Sequence, residues 1–177
     1  MFGVGPGQLT SDAFMLGIQP DNQRRMMEES FEVIMALFQG ETVTRTTDWF
    51  TIQEGVLQLR PYSHPCFDIA VAASISPAGV KLAGRFGIGL LSLAATNPLG
   101  FEMLADHWQV AEEQAAKHQR TVDRRNWRMV GPMYVAEIEA QALEDCRYGF
   151  LQVMNYLSHI IPYVQAPPRR MKISSRR

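Results

Sequence analysis

The stretch Ser74-Ile75-Ser76-Pro77-Ala78-Gly79 joins an apolar run to a helical pattern, where a phosphate could be held. Hydroxyls and unpaired backbone amides at a helix N-terminus favour an anion. Ser76 can equally cap its own helix and bind nothing. A second stretch, Gly3-Val4-Gly5-Pro6-Gly7, has the glycines that let backbone approach a ligand closely, or that simply make a tight turn. It is not a dinucleotide fingerprint, because GxGxxG needs glycine where Gln8 stands. No GK[ST] triplet occurs, which excludes a Walker phosphate loop. Arg24 and Arg25 enter a long helix near the positive end of its dipole, a poor place for cations. A bound anion would compensate; plain solvation is the other reading.

The remaining reactive residue types form no constellation. His64, His107, His118 and His159 lack metal-ligand spacing, and no GxSxG elbow is present. The acidic pairs Glu28-Glu29, Glu112-Glu113 and Glu144-Asp145 read as solvated helix faces, and Trp49, Trp108 and Trp127 as packing residues. The catalytic residues are therefore unassigned, and no metal is expected.

Short β-like runs alternate with longer amphipathic helices, the pattern of an α/β fold with parallel strands. Phe2–Gly5 reads as a strand, and Asp21 as a cap for the helix that follows. Met27, Phe31, Ile34 and Phe38 recur at helical spacing over 22–39, and Gly40 supplies the stop. Residues 42–60 read as a β-hairpin excursion turning at Thr47-Asp48, with a further β-rich run at Val56–Leu59. Phe67–Ala73 and Ile88–Leu93 look like strands buried on both faces. Pro77–Arg85 is a helix stopped by Gly87, and one helix of about twenty residues covers 101–119. Trp127–Val130 and Met133–Val135 read as one strand bent at Gly131-Pro132, followed by a helix over 136–158. The sum is about four strand–helix units. Half of a (β/α)8 barrel and a doubly wound sheet fit equally well.

At 177 residues, 46% hydrophobic and 20% charged, the chain suits a soluble globular domain. No apolar run reaches the length of a membrane span, and no leader pattern opens the sequence, so a cytoplasmic protein is expected. Cys66 and Cys146 match no metal or redox spacing and read as reduced thiols. The last nine residues hold five bases and no acid, leaving 12 bases against 18 acids elsewhere. Residues 161–177 are expected to be a disordered Pro/Arg-rich tail rather than a nucleic-acid or lipid arm, with 1–160 forming the domain.

Read together, several segments resemble the bacterial luciferase-like, flavin-dependent monooxygenases, within them the limonene monooxygenase-like branch. They are Gly3–Gly7, Ser11-Asp12-Ala13, Met15-Leu16-Gly17 and Gln23-Arg24-Arg25. Leu57–Tyr62, Ala72–Gly79, Leu82–Arg85 and Trp127–Met133 continue the series. The resemblance covers residues 2–150, and its motifs are specific jointly rather than singly. It implies a (β/α)8 barrel holding reduced flavin mononucleotide (FMN), which reacts with O2 to oxygenate a small organic substrate. A deazaflavin is the alternative cofactor, and a separate flavin reductase a candidate partner. By matching positions, Ser76 and the backbone around Gly79 would hold the flavin phosphate, with Arg24 contributing from the preceding helix. Gly5, Pro6 and Gly7 would run beside the flavin; Pro6 stands where luciferase itself carries an arginine.

The resemblance begins near the family's fourth barrel strand. The first three strands, which carry the family's active-site histidine, and the eighth have no counterpart in the sequence. The chain thus reads as a C-terminal half barrel with about four strand–helix units and a small hairpin insertion. Such a piece is expected to be inactive or unstable alone, to aggregate, or to pair as a homo-oligomer.

Overall fold

The computed structural model describes residues 1–63 and 66–160. The tail expected over 161–177 lies outside them, as does His64. Two compact units emerge: residues 1–6 with 21–132, and residues 7–20 with 133 onward.

The first unit is a four-stranded sheet with helices on one face. Its strands are β1 (Phe2–Val4), β4 (Ile69–Ala73), β5 (Gly89–Ser92) and β6 (Trp127–Met129), with β2 (Val43–Thr46) and β3 (Thr51–Gly55) forming a separate antiparallel hairpin. The sheet order is β1-β4-β5-β6 and every pairing is parallel. Each sheet strand therefore lies beside its successor in the chain, with no reversal of winding. A doubly wound sheet needs such a reversal, whereas a barrel does not. The order is that of part of a (β/α)8 barrel.

Register and packing show why these runs are strands. Phe2, Val4, Ile69, Val71, Ala73, Leu90 and Trp127 belong to one core with Phe31, Val80, Leu82 and Ala111. By strand alternation, Gly3, Gly5, Ala70, Ala72, Gly89, Leu91 and Arg128 line the opposite face. Most of these are small, which leaves room over that face. The helices are α2 (Gln23–Phe38), α3 (Ala78–Phe86), α4 (Pro98–Glu102) and α5 (Leu104–Lys117), α1 being the short Thr10–Met15. Phe31, Leu82, Val71 and Val80 are essentially fully buried, each contributing about 1.5–3 kcal/mol of apolar burial. Gly84 lets α3 and α5 touch: a Cβ there would stand 2.4 Å from the Ala111 carbonyl oxygen.

Several expectations require correction. Asp21 sits in a 3-10 turn over Pro20–Asn22, and Asn22 occupies the cap position of α2. Val56–Leu59 is not a strand; β3 ends at Gly55 and Leu59 is exposed. The single helix expected over 101–119 is two helices meeting at Met103, the first started by Asn97, whose side chain accepts from the Leu99 amide at 3.0 Å, and by Pro98. Met133–Val135 does not extend β6. The last added bond is from the Val130 amide to the Ser92 carbonyl, 2.9 Å, and Pro132 has no N–H to carry the ladder on.

The second unit contains α1 and α6 (Glu139–Ile160). Ala13 of α1 is buried, and Gly17, at φ 66°, turns the chain after it. The side-chain bonds of α6 are mostly local: Gln141 and Tyr134 both donate to Asp145, at 2.6 and 2.9 Å. That phenol's pKa is raised by the Asp145 hydrogen bond. Among the described residues no helix is long and apolar enough to cross a membrane.

Candidate functional site: the turn after the second sheet strand

Parallel strands deliver all their carboxyl ends to one edge of the first unit, and the turn Ser74–Pro77 leaves that edge between β4 and α3. The α3 cap is Pro77, whose carbonyl accepts the Lys81 amide at 2.9 Å. Ser76 Oγ accepts from the Ala78 amide at 3.4 Å, a long bond from half-buried surroundings. The Gly79 and Val80 amides have no carbonyl within the helix to reach. The turn thus combines a hydroxyl, open amides and a dipole end, a donor set suited to a phosphate.

Glycine at 79 also has a packing reason. A Cβ would lie 2.3 Å from the Ala72 carbonyl oxygen, so only glycine lets the first turn of α3 rest on β4. Gly5 continues β1 past Val4, and a Cβ there would meet the Ala72 Cβ at 3.4 Å. Gly5 and Gly79 therefore converge on Ala72 from different elements. Pro6 follows, half-buried, and Gly7, at φ 82°, opens the second unit.

The two arginines entering α2 have different surroundings. Phe38, at the end of α2, meets Phe2, at the start of β1, with ring centroids 5.7 Å apart. The helix consequently runs against β1 and brings its N-terminus to the carboxyl edge. Arg25 is committed there: it pairs with Asp48 at 2.7 Å and Glu29 at 3.0 Å, the Asp48 hydrogen bond being the main reason its guanidinium pKa is raised. Hydrogen bonding from Arg25 in turn lowers the Asp48 pKa. Arg24 is exposed and, among the described residues, makes no hydrogen bond or ion pair. The protein's own carboxylates thus balance one arginine and leave the other available.

Further back, Glu32 receives Arg45 at 2.5 Å and Arg85 at 2.6 Å, tying the hairpin and α3 to α2. Burial pushes this carboxyl up, but the two arginine hydrogen bonds outweigh it and hold it below its usual range. A cleft of about 280 Å³ lies along β1 and α2, lined by Gly3, Gly5, Met27, Ser30, Phe31 and Ile34. It belongs to the open side of β1, not to the Ser74–Pro77 turn. Two polar contacts carried no signal in the sequence. The Trp127 indole donates to Ser92 at 2.8 Å while stacking on Trp108, and buried His107 meets the Ile75 carbonyl at 3.1 Å. Both join residues over thirty positions apart, and no local motif marks them. Among the described residues no three His, Cys, Asp or Glu side chains gather as a metal site, and both cysteines are free.

Comparison with known proteins agrees with this fold. The profile of the luciferase-like monooxygenase family matches residues 1–173. Limonene 1,2-monooxygenase of Rhodococcus erythropolis is 56% identical over 168 residues, covering 95% of this chain but 43% of that protein. Among solved structures, monooxygenase RslO1 of Streptomyces bottropensis superposes with a TM-score of 0.77 at 20% identity, over 90% of this chain and 48% of that one. The oxygenating constituent of 3,6-diketocamphane monooxygenase of Pseudomonas putida, solved with FMN, gives 0.65 at 19% identity, over 90% and 49%. An F420-dependent secondary alcohol dehydrogenase gives 0.61 at 22%, over 82% and 43%. These structures share the fold, and this chain spans less than half the length of each protein compared. With its parallel, singly wound sheet and a family match along nearly its whole length, the chain belongs to the luciferase-like monooxygenases.

Proposed function

We propose that this chain supplies the phosphate-binding part of a flavin-dependent monooxygenase that oxygenates a small organic substrate with O2. The observation that carries this reading is the family match over residues 1–173. When bound, reduced FMN supplies the chemistry of oxygen activation. Ser76 Oγ and the amides at Gly79 hold its phosphate, with the α3 dipole favouring the negative charge. Arg24, uncommitted at the same edge, adds a positive charge. Gly5 presents side-chain-free backbone beside the flavin, with Pro6 and Gly7 continuing that stretch. The substrate class, by analogy with the Rhodococcus relative, is an apolar terpene-like molecule. A separate reductase is proposed to deliver reduced flavin.

A second reading is favoured by the coverage: the chain spans 43% of the Rhodococcus protein, so the site can require the remaining barrel strands to act. The solved F420 enzyme motivates a deazaflavin in place of FMN. One experiment separates these readings. The 177-residue chain is titrated with FMN and, in parallel, with F420, following fluorescence, and the same samples are run by size exclusion. Saturable FMN binding by a discrete species supports the first reading. Binding of F420 alone moves the cofactor to the deazaflavin. Binding of neither, or aggregation alone, overturns independent function of this chain.

A further inference from the structure

We infer that His107 is a positioning residue for the phosphate turn, and that the Ser76 backbone amide it orients is a further phosphate donor. This rests on the proposed reading of Ser76–Gly79 as the flavin phosphate site. His107 lies in the first turn of α5 and is 1% exposed. Its Nε2 is 3.1 Å from the Ile75 carbonyl oxygen. A carbonyl only accepts, so Nε2 donates the proton in this bond. Nδ1 is buried and has no partner among the described residues. A buried polar atom without a partner is a cost. The imidazole's polar contact is therefore the bond to Ile75, a role an apolar side chain of similar size would not fill.

The bond matters because of what it holds. Ile75 is itself 44% exposed. Below the turn, the Ala73 carbonyl is tied to Leu93 at 2.8 Å; above it, the Pro77 carbonyl is tied into α3. Between them, Ser76 Oγ accepts only from the adjoining start of α3, at Ala78, and among the described residues His107 supplies the hydrogen bond that links residues 74–76 to an element distant in the chain. The donor sits on rigid ground. Ala111, one helical turn on, is buried in the seam where Gly84 admits α5 against α3.

The geometry of the peptide unit then passes the constraint along. In a trans peptide the C=O and the following N–H point in opposite directions. Drawing the Ile75 carbonyl toward α5 turns the Ser76 N–H away from α5. That amide makes no hydrogen bond among the described residues. It joins the Ser76 hydroxyl and the Gly79 amide as a donor with no other protein bond to satisfy.

Two variants test this. H107F keeps a ring in the site but removes the donor; H107Q restores an N–H near the position of Nε2. FMN and riboflavin, which lacks the phosphate, are titrated against each, and exchange of the amides at 76–80 is followed by mass spectrometry. H107F is expected to weaken FMN about tenfold, the scale of one lost hydrogen bond, with riboflavin changed less than about twofold. H107Q should recover most of that loss. Equal weakening of both ligands by H107F, or none of either, would overturn the role. If the unsubstituted chain binds neither flavin, the proposed phosphate site fails and Ser76 loses its assigned ligand. The exchange data still decide the hold on the turn: faster exchange in H107F reversed by H107Q supports it, and unchanged exchange overturns it.

Discussion

The unit of residues 1–6 and 21–132 and the unit of residues 7–20 and 133–160 use their apolar side chains in opposite ways. In the first, Phe31, Val71, Val80 and Leu82 are sealed between sheet and helices. In the second, Phe14, Met133 and Val135 are each more than 80% exposed. Within α6, Leu143, Tyr148, Phe150, Leu151, Val153 and Tyr156 are exposed and fall around most of the helix circumference. The contrast teaches that the first unit seals a core of its own, even though Leu59, Tyr62 and Phe101 stay exposed on it, whereas the second leaves most of its large apolar side chains in the open. The proposed phosphate turn belongs to the unit with the sealed core.

The largest effect should come from the core. F31A should destabilise the chain by about 3–5 kcal/mol in urea unfolding, whereas F150A, on exposed α6, should stay within about 0.5 kcal/mol. Equal losses at the two positions would break the contrast. Next is G79A, whose new methyl would meet the Ala72 carbonyl oxygen. It should cost about 1–3 kcal/mol and displace α3, read as weaker unfolding resistance together with weaker FMN binding. A neutral G79A would show that α3 does not rest on β4 as described.

A smaller effect is expected from Glu32, whose pKa is lowered in the fold from 4.5. A depressed carboxylate contributes stability above its unfolded pKa, and that contribution is lost as pH falls through the folded value. Stability should therefore decline below about pH 4.5, and E32Q should flatten that part of the profile. An identical acid profile in E32Q would remove the Arg45–Glu32–Arg85 bridge from the account.

Much of the first unit was legible because its signals are local. The spacing of Met27, Phe31, Ile34 and Phe38, with glycine at 40, marks α2, and glycine at 87 ends α3. The apolar runs around Val71 and Leu90 mark buried strands. What was not legible depends on residues distant in the chain. Strand order needs pairing between β1 and β4, and the packing role of Gly79 needs Ala72 folded back beneath it. Glu32 unites Arg45 and Arg85, and His107 reaches Ile75, with no pattern at those spacings. Asn97-Pro98 marks the start of α4, whereas no residue type at Met103 marks the break before α5. Residues 133–135 have strand-like side chains, but Pro132 withholds the amide that would continue the ladder. At the candidate site, the turn's residue types could be read directly, whereas its support by α5 could not.

The most direct test of the account is FMN affinity in an S76D variant, measured beside riboflavin. Aspartate retains an acceptor for the Ala78 amide, so the start of α3 is kept while a negative charge is placed where the phosphate would bind. The account predicts FMN weakened at least about tenfold, with riboflavin nearly unchanged. FMN binding equal to that of the unsubstituted chain would contradict the placement of the phosphate at this turn.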